Sequence, residues 1–161
     1  MKAKKTNAAR LLDSLSVPYE LIEYQADEND LSARHVAEAT GQPLERIFKT
    51  LVAKGDKHGI LVACIPGGRE LDLKALAQES GNKKVELVPM KDILGLTGYI
   101  RGGCSPLAMK KSYPTYIDAS AQSFDRIIVS AGQRGLQLVL SPQALASAAG
   151  GRFCAVSIEE G

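Results

Sequence analysis

Apolar residues follow two spacings along this chain, and the switches between them mark its elements. In TNAARLLDSLS, residues 6–16, Ala8, Leu11, Leu12 and Leu15 recur at helical spacing, and Thr6 or Asn7 can cap the start. Pro18 follows, and YELIEY then reads as a strand. Ser32 can cap a second helix with Ala33, Val36, Ala37 and Thr40 inward and Gly41 as its stop. IFKTLVA and ILVACIP are two apolar strands joined by the hairpin-like loop KGDKHG. LDLKALAQESG predicts a third helix, with Leu73, Leu76, Ala77 and Ser80 on one side and Gly81 at its end.

The second half is richer in strands. VELV is a short one, and PMKDILG reads as a helix with Pro89 near its first turn. TYID, RIIVSA and LQLVL are strands, the last two flanking the glycine turn GQRG. Ser141 and Pro142 form an N-cap and first-turn pair for PQALASAAG, and FCAVSI closes the chain as a single strand. With strands in the middle and helices towards the ends, the order predicts an α+β fold, one domain over residues 1–161 with a curved mixed sheet.

Composition narrows the function classes. No run of about 18 apolar residues is present, so a membrane partner is not expected. The basic start MKAKKTNAARLLDSL lacks the apolar core of a signal peptide and reads as helix. The formal net charge of +2 is too small to announce nucleic-acid binding by itself, so local clusters must carry any such reading. The odd count of three cysteines fits a reducing compartment, and the expected location is the cytoplasm.

The chemistry-bearing residues are few. A metal centre is not expected, because no CxxC, HxxxH or His–carboxylate cluster appears at ligand spacing. Neither a phosphate loop nor a strand followed by GxGxxG is present, and the pairs Glu20/Glu23 and Glu159/Glu160 read as solvated surface. A nucleophilic Cys104 would need a cation or histidine beside it; Arg101 is near in sequence, while His35 and His58 are distant. Cys64 and Cys154 fall in apolar strand patterns and read as core.

Lys49 lies between Phe48 and Leu51 in a strand pattern, sharing a face with Ile47, Leu51 and Ala53 while Phe48, Thr50 and Val52 share the other. Such a lysine either snorkels to water or meets an anion. Gly102-Gly103 is either a tight turn or a main chain that a ligand approaches closely, with Pro106 stiffening the exit and Lys110 and Lys111 within reach of phosphate. SAGQRG, residues 130–135, is a second glycine-bearing segment at a strand end.

Together FKTL at 48–51, LDLKALA at 71–77, TGYIRGGCSPL at 97–107 with KK following, and SAGQRGL at 130–136 resemble the YbaK family. Its members are free-standing relatives of the editing domain inserted in bacterial prolyl-tRNA synthetases. The resemblance runs in order through nearly the whole chain. It implies a partly closed, barrel-like mixed sheet surrounded by helices, and no metal or organic cofactor. It further implies an aminoacyl-tRNA deacylase acting in trans on Cys-tRNA(Pro) through its acceptor end, with prolyl-tRNA synthetase as a further partner. Hydrolysis would be substrate-assisted: the cysteine thiol attacks its own ester.

On this resemblance the catalytic positions are Lys49, Gly102 and Gly103. Tyr24, Leu31, Thr50, Ser105, Pro106, Ser130, Ala131, Gly132 and Arg134 would bind substrate, and Arg101, Lys110 and Lys111 would hold tRNA. Relatives usually carry an aromatic before the second helix, where this chain has Leu31, an aliphatic at position 104, and SGGKRG for SAGQRG. Other readings are a deacylase for another small amino acid such as alanine, a non-catalytic module binding a nucleotide or tRNA end, and a hydrolase using Cys104.

Overall fold

The computed structural model describes residues 5–160. In chain order, α1 (Asn7–Ser14) leads to β1 (Glu20–Glu23) and α2 (Ala33–Thr40). Next come β2 (Phe48–Gly55), β3 (Gly59–Pro66), β4 (Arg69–Leu71), α3 (Leu73–Ser80), β5 (Val85–Leu87) and α4 (Ile93–Thr97). The chain ends with β6 (Thr115–Asp118), β7 (Ile127–Gln133), β8 (Leu136–Leu140), α5 (Pro142–Ala149), β9 (Gly151–Cys154) and β10 (Ser157–Glu159).

The caps explain where helices start. Thr6, Ser32 and Ser141 each accept a hydrogen bond from a first-turn N–H. Asp72 does the same for Ala75, so α3 begins after it, and Leu71 belongs to the short strand β4, which the apolar pattern does not reveal. Leu15 was expected on the inner face of the first helix, but it lies past the end of α1 and is 51% exposed. The core side is Ala8, Ala9 and Leu12 instead. Leu73 is likewise exposed rather than inward. The PMKDILG segment splits into a 3₁₀ turn, Met90–Asp92, running into α4.

The strands form a five-stranded mixed sheet in the order β5-β2-β3-β6-β9, an antiparallel three-stranded sheet β1-β8-β7, and the pair β4-β10. FCAVSI is therefore not one strand. It changes sheets at Ala155–Val156, where the Val156 N–H donates to the buried Asp118 carboxylate at 3.0 Å. The two larger sheets abut through the parallel bridge Ile47–Ile128 rather than through a continuous ladder. The main core, containing Leu12, Phe48, Leu107, Ile117, Ile127 and Leu138, fills the space between them. A second cluster, containing Ala53, Ile65, Leu76 and Val156, lies on the other face of β2 and β3. Both faces of β2 are thus packed, as its alternating pattern requires.

One gap in the ladders positions the site. β5 pairs only with Ala53–Gly55, so the first half of β2 has no strand beside it on that edge.

Candidate functional site

Along that unpartnered edge lies a cavity of about 500 Å³. Every residue from Ile47 to Val52 lines it, which a strand can do only when its edge, and not one face, is exposed. The opposite walls come from Leu31–Arg34 at the start of α2, from Leu87–Val88 with Met90 and Ile93, and from Arg101, Gly102 and Cys104 of the glycine loop. Val36, Gly67, Ser130, Gln137 and Glu160 complete it.

Lys49 is half-buried, and its ammonium donates to the Gly67 carbonyl at 3.3 Å. Burial holds it below the ordinary lysine pKa; the carboxylates of Glu160 and Glu70 act against that shift. Thr50 faces the cavity, with its hydroxyl 4.0 Å from the Cys64 sulfur. Gly102 also lines the cavity, at φ +82°, with Leu31 packed on it: a Cβ there would stand 3.0 Å from that side chain. The structure therefore brings Lys49, Thr50, Leu31, Gly102, Arg101 and Ser130 around one space.

Other expected residues have different work. Gly103 is buried, donates to the Ile100 carbonyl at 2.9 Å, and leaves no room for a Cβ, which would lie 3.1 Å from the Gln133 Cα. It seats the loop on the turn after β7 rather than facing the cavity. Ser105 is fully buried and accepts from the Leu107 N–H, and Pro106 is buried beside it. Ala131 belongs to the main core. Gly132 sits at φ +104° against the Tyr99 ring, in the irregular end of β7. Tyr99 in turn donates to the Leu107 carbonyl at 2.6 Å, tying both ends of the glycine loop together.

Tyr24 and Arg134 line a small cleft next to the cavity, reached past Leu31 and Gly102. The Tyr24 hydroxyl accepts from Gln137 at 3.4 Å, and Arg134 donates to the Arg101 carbonyl at 2.9 Å. Of the expected tRNA contacts, only Arg101 is on the cavity wall. Lys110 and Lys111 are exposed, and Lys110 is drawn away to the Gly95 carbonyl, on the wall of a second cavity of about 510 Å³ beyond Leu87–Val88.

The thiol chemistry is unfavourable. Cys104 lines the cavity, but burial pushes its thiol up to about 11, so it stays protonated near neutral pH. Burial likewise pushes Cys64 up to about 12. Neither histidine lines the cavity: His35 belongs to the small cleft, and His58 lies by Gly81. Among the described residues no group of His, Cys, Asp and Glu is placed to hold a metal ion, and no helix is long and apolar enough to cross a membrane.

Among the wall residues missed from sequence are Gln137, Arg34 and Glu160. Gln137 carried a signal, being a lone amide inside the apolar run LQLVL. Arg34 and Glu160 carried none, since they lie 126 positions apart and meet only in the folded chain.

Comparison with known proteins agrees in one direction. The model of the aminoacyl-tRNA editing domain family matches residues 27–148. An Enterococcus faecalis protein named as a Cys-tRNA(Pro)/Cys-tRNA(Cys) deacylase is 52% identical over 98% of this chain and 96% of its own length. The proline–tRNA ligase of Staphylococcus aureus is 29% identical over 69% of this chain and 19% of its own. Among solved structures, one described as a trans-editing enzyme for prolyl-tRNA synthetase matches with a TM-score of 0.80 at 22% identity, over 97% of this chain and 99% of that one. Another, of a hypothetical protein, matches at 0.84 and 24%, over 92% and 97%. At those identities the structures speak for the fold alone.

Proposed function

Because the chain belongs to the aminoacyl-tRNA editing domain family, we propose that its cavity takes the acylated 3′ end of a mischarged tRNA and that the substrate is Cys-tRNA(Pro), cleared in trans. The protein is a hydrolase of the aminoacyl-tRNA ester. The observation that supports this cavity as the site is that Lys49 and Gly102, from distant parts of the chain, line the same space of about 500 Å³. That volume lies in the range of small-molecule sites and suits an aminoacyl-adenosine.

The chemistry then rests on position and charge. Lys49 meets a phosphate or the ester carbonyl, and the main chain at Gly102 lies along the acyl group without a side chain between them. Burial holds Cys104, the cysteine on the wall, protonated near neutral pH, which disfavours it as nucleophile; in the proposed scheme the attacking sulfur is the substrate's own. That sulfur bonds to the ester carbonyl carbon, the bond from that carbon to the ribose oxygen breaks, and the thiol proton passes to the ribose oxygen. The products are deacylated tRNA and a cyclic thioester, which water opens to cysteine. Cysteine is charged on this tRNA because it resembles proline in size, a difference that pocket volume alone separates poorly. So small a chain has little surface for reading a whole tRNA, and association with prolyl-tRNA synthetase would supply that choice, in the cytoplasm where charging takes place.

A panel of tRNA(Pro) charged with cysteine, alanine, serine or proline tests the proposal. Rapid release of cysteine, with serine and proline retained, is the expected result. Release of alanine in preference to cysteine would reassign the substrate. Binding without release of any amino acid would leave a recognition module and end the proposed chemistry.

A further inference from the structure

Three charged side chains that no sequence pattern unites meet at the turn between β3 and β4. Lys49 donates to the Gly67 carbonyl at 3.3 Å. The Arg34 guanidinium lies 3.9 Å from where a Cβ on Gly68 would stand. Glu160 accepts from that same guanidinium at 2.6 Å. Gly67 makes the convergence possible, because a Cβ there would stand 2.2 Å from Ala33 and push the start of α2 off the turn. All three charged residues line the cavity, and with Arg101 its wall carries three cations against one carboxylate.

We propose that Arg34 and Lys49 together bind the phosphodiester on the 5′ side of the terminal adenosine, and that Glu160 is a stand-in anion which the phosphate displaces from Arg34. This rests on the reading of the cavity as the site for an acylated tRNA end. The Arg34–Glu160 pair is exposed on both sides, at 61% and 42%, so it contributes little to stability and is easily exchanged. A phosphodiester, like a carboxylate, offers the guanidinium fork two acceptor oxygens, and it takes over the fork because the rest of the bound substrate holds it there. Glu160 also lies just past β10, so its side chain can leave without breaking a ladder pair. The proposal makes Glu160 a competitor of the substrate and takes it out of the chemistry.

Two measurements test it. Equilibrium binding of adenosine 5′-monophosphate is compared with that of adenosine, and deacylation of Cys-tRNA(Pro) is followed to separate KM from kcat. The expected result is that the wild type prefers the phosphorylated probe. Glu160→Gln should widen that preference about two- to fivefold and lower KM by a similar factor, the scale of an exposed ion pair. Arg34→Ala, which leaves Lys49 in place, should narrow the preference and raise KM on the order of tenfold, the scale of a hydrogen bond to a charged group. Equal binding of the two probes by the wild type would overturn the proposal, as would a preference left undiminished by Arg34→Ala. A fall in kcat on Glu160→Gln would also overturn it, by making the carboxylate part of the reaction. Absence of any deacylation by the wild type, with the probe preferences as expected, would count against the editing reaction and not against the phosphate site.

Discussion

Lys49 is the residue on which the proposed chemistry turns. Its ammonium is half-buried with one protein acceptor, the Gly67 carbonyl, which leaves donors for a ligand. Replacing it with alanine should abolish hydrolysis of Cys-tRNA(Pro) in single-turnover assays, while circular dichroism stays that of the wild type, because a partly exposed side chain with a single weak hydrogen bond holds little of the fold. Unchanged turnover would remove it from the mechanism. Cys104 is the contrasting case. With its thiol pushed up to about 11 by burial, alkylation by iodoacetamide should be slow near neutral pH and accelerate as pH rises towards that value. Cys104→Ala should keep its deacylase activity. Fast alkylation at neutral pH, together with loss of activity in that variant, would restore the reading of a protein nucleophile. At this scale the sequence was legible where a polar residue interrupted an apolar pattern, as at Lys49; Gln137 carried the same kind of signal and went unread. The sequence was misleading at Gly103, Ser105 and Ala131, whose motif neighbours face the cavity while they themselves pack inward.

The elements that build the site are the open half of β2 and the loop between α4 and β6. Two glycines shape this region and do different things, Gly102 within the loop and Gly132 at the end of β7, packed against the loop's Tyr99. At Gly132, φ is +104° and a Cβ would lie 2.8 Å from the Tyr99 ring, so Gly132→Ala should destabilise by about 1–3 kcal/mol and lower the melting temperature. Gly102, at φ +82°, shares the backbone strain, but its Cβ would meet the flexible Leu31 side chain, at 3.0 Å, inside the cavity and not a ring in the packed loop. Gly102→Ala should therefore lose proportionately more deacylation than stability, measured as kcat/KM against thermal midpoint. Equal losses in both variants would mean that Gly102 is only a turn residue. Helix starts were legible because a capping hydroxyl or carboxylate is a local signal, as Thr6, Ser32 and Ser141 show. The short strands β4 and β10 were not, because their pairing partner lies in the other strand and neither pattern is long enough to stand alone.

Over the whole molecule, buried groups that ionise at high pH tie stability to alkali. Burial raises Cys64 and Tyr99 to about 12, and Cys104 and Cys154 to about 11. Their folded pKa values lie above their unfolded ones, so the unfolded chain releases these protons first. The stability they support is fully present below about pH 9 and is lost as pH rises from there through 11 to 12. Chemical denaturation followed from pH 8 to 11 should show a falling midpoint, with a shallower fall in Cys64→Ala; parallel curves would show that this thiol does not contribute. Apart from β4 and β10, the order of strands and helices, the caps, the two faces of β2 and the glycine motifs were written in the chain, because each depends on residues a few positions apart. The cavity was not. It exists because β5 stops pairing at Ala53, because Gly67 lets α2 approach within contact, and because the chain's far end returns to place Glu160 beside Arg34. Those are long-range packing events, and no local spacing encodes which edge is left bare or which charges meet across it.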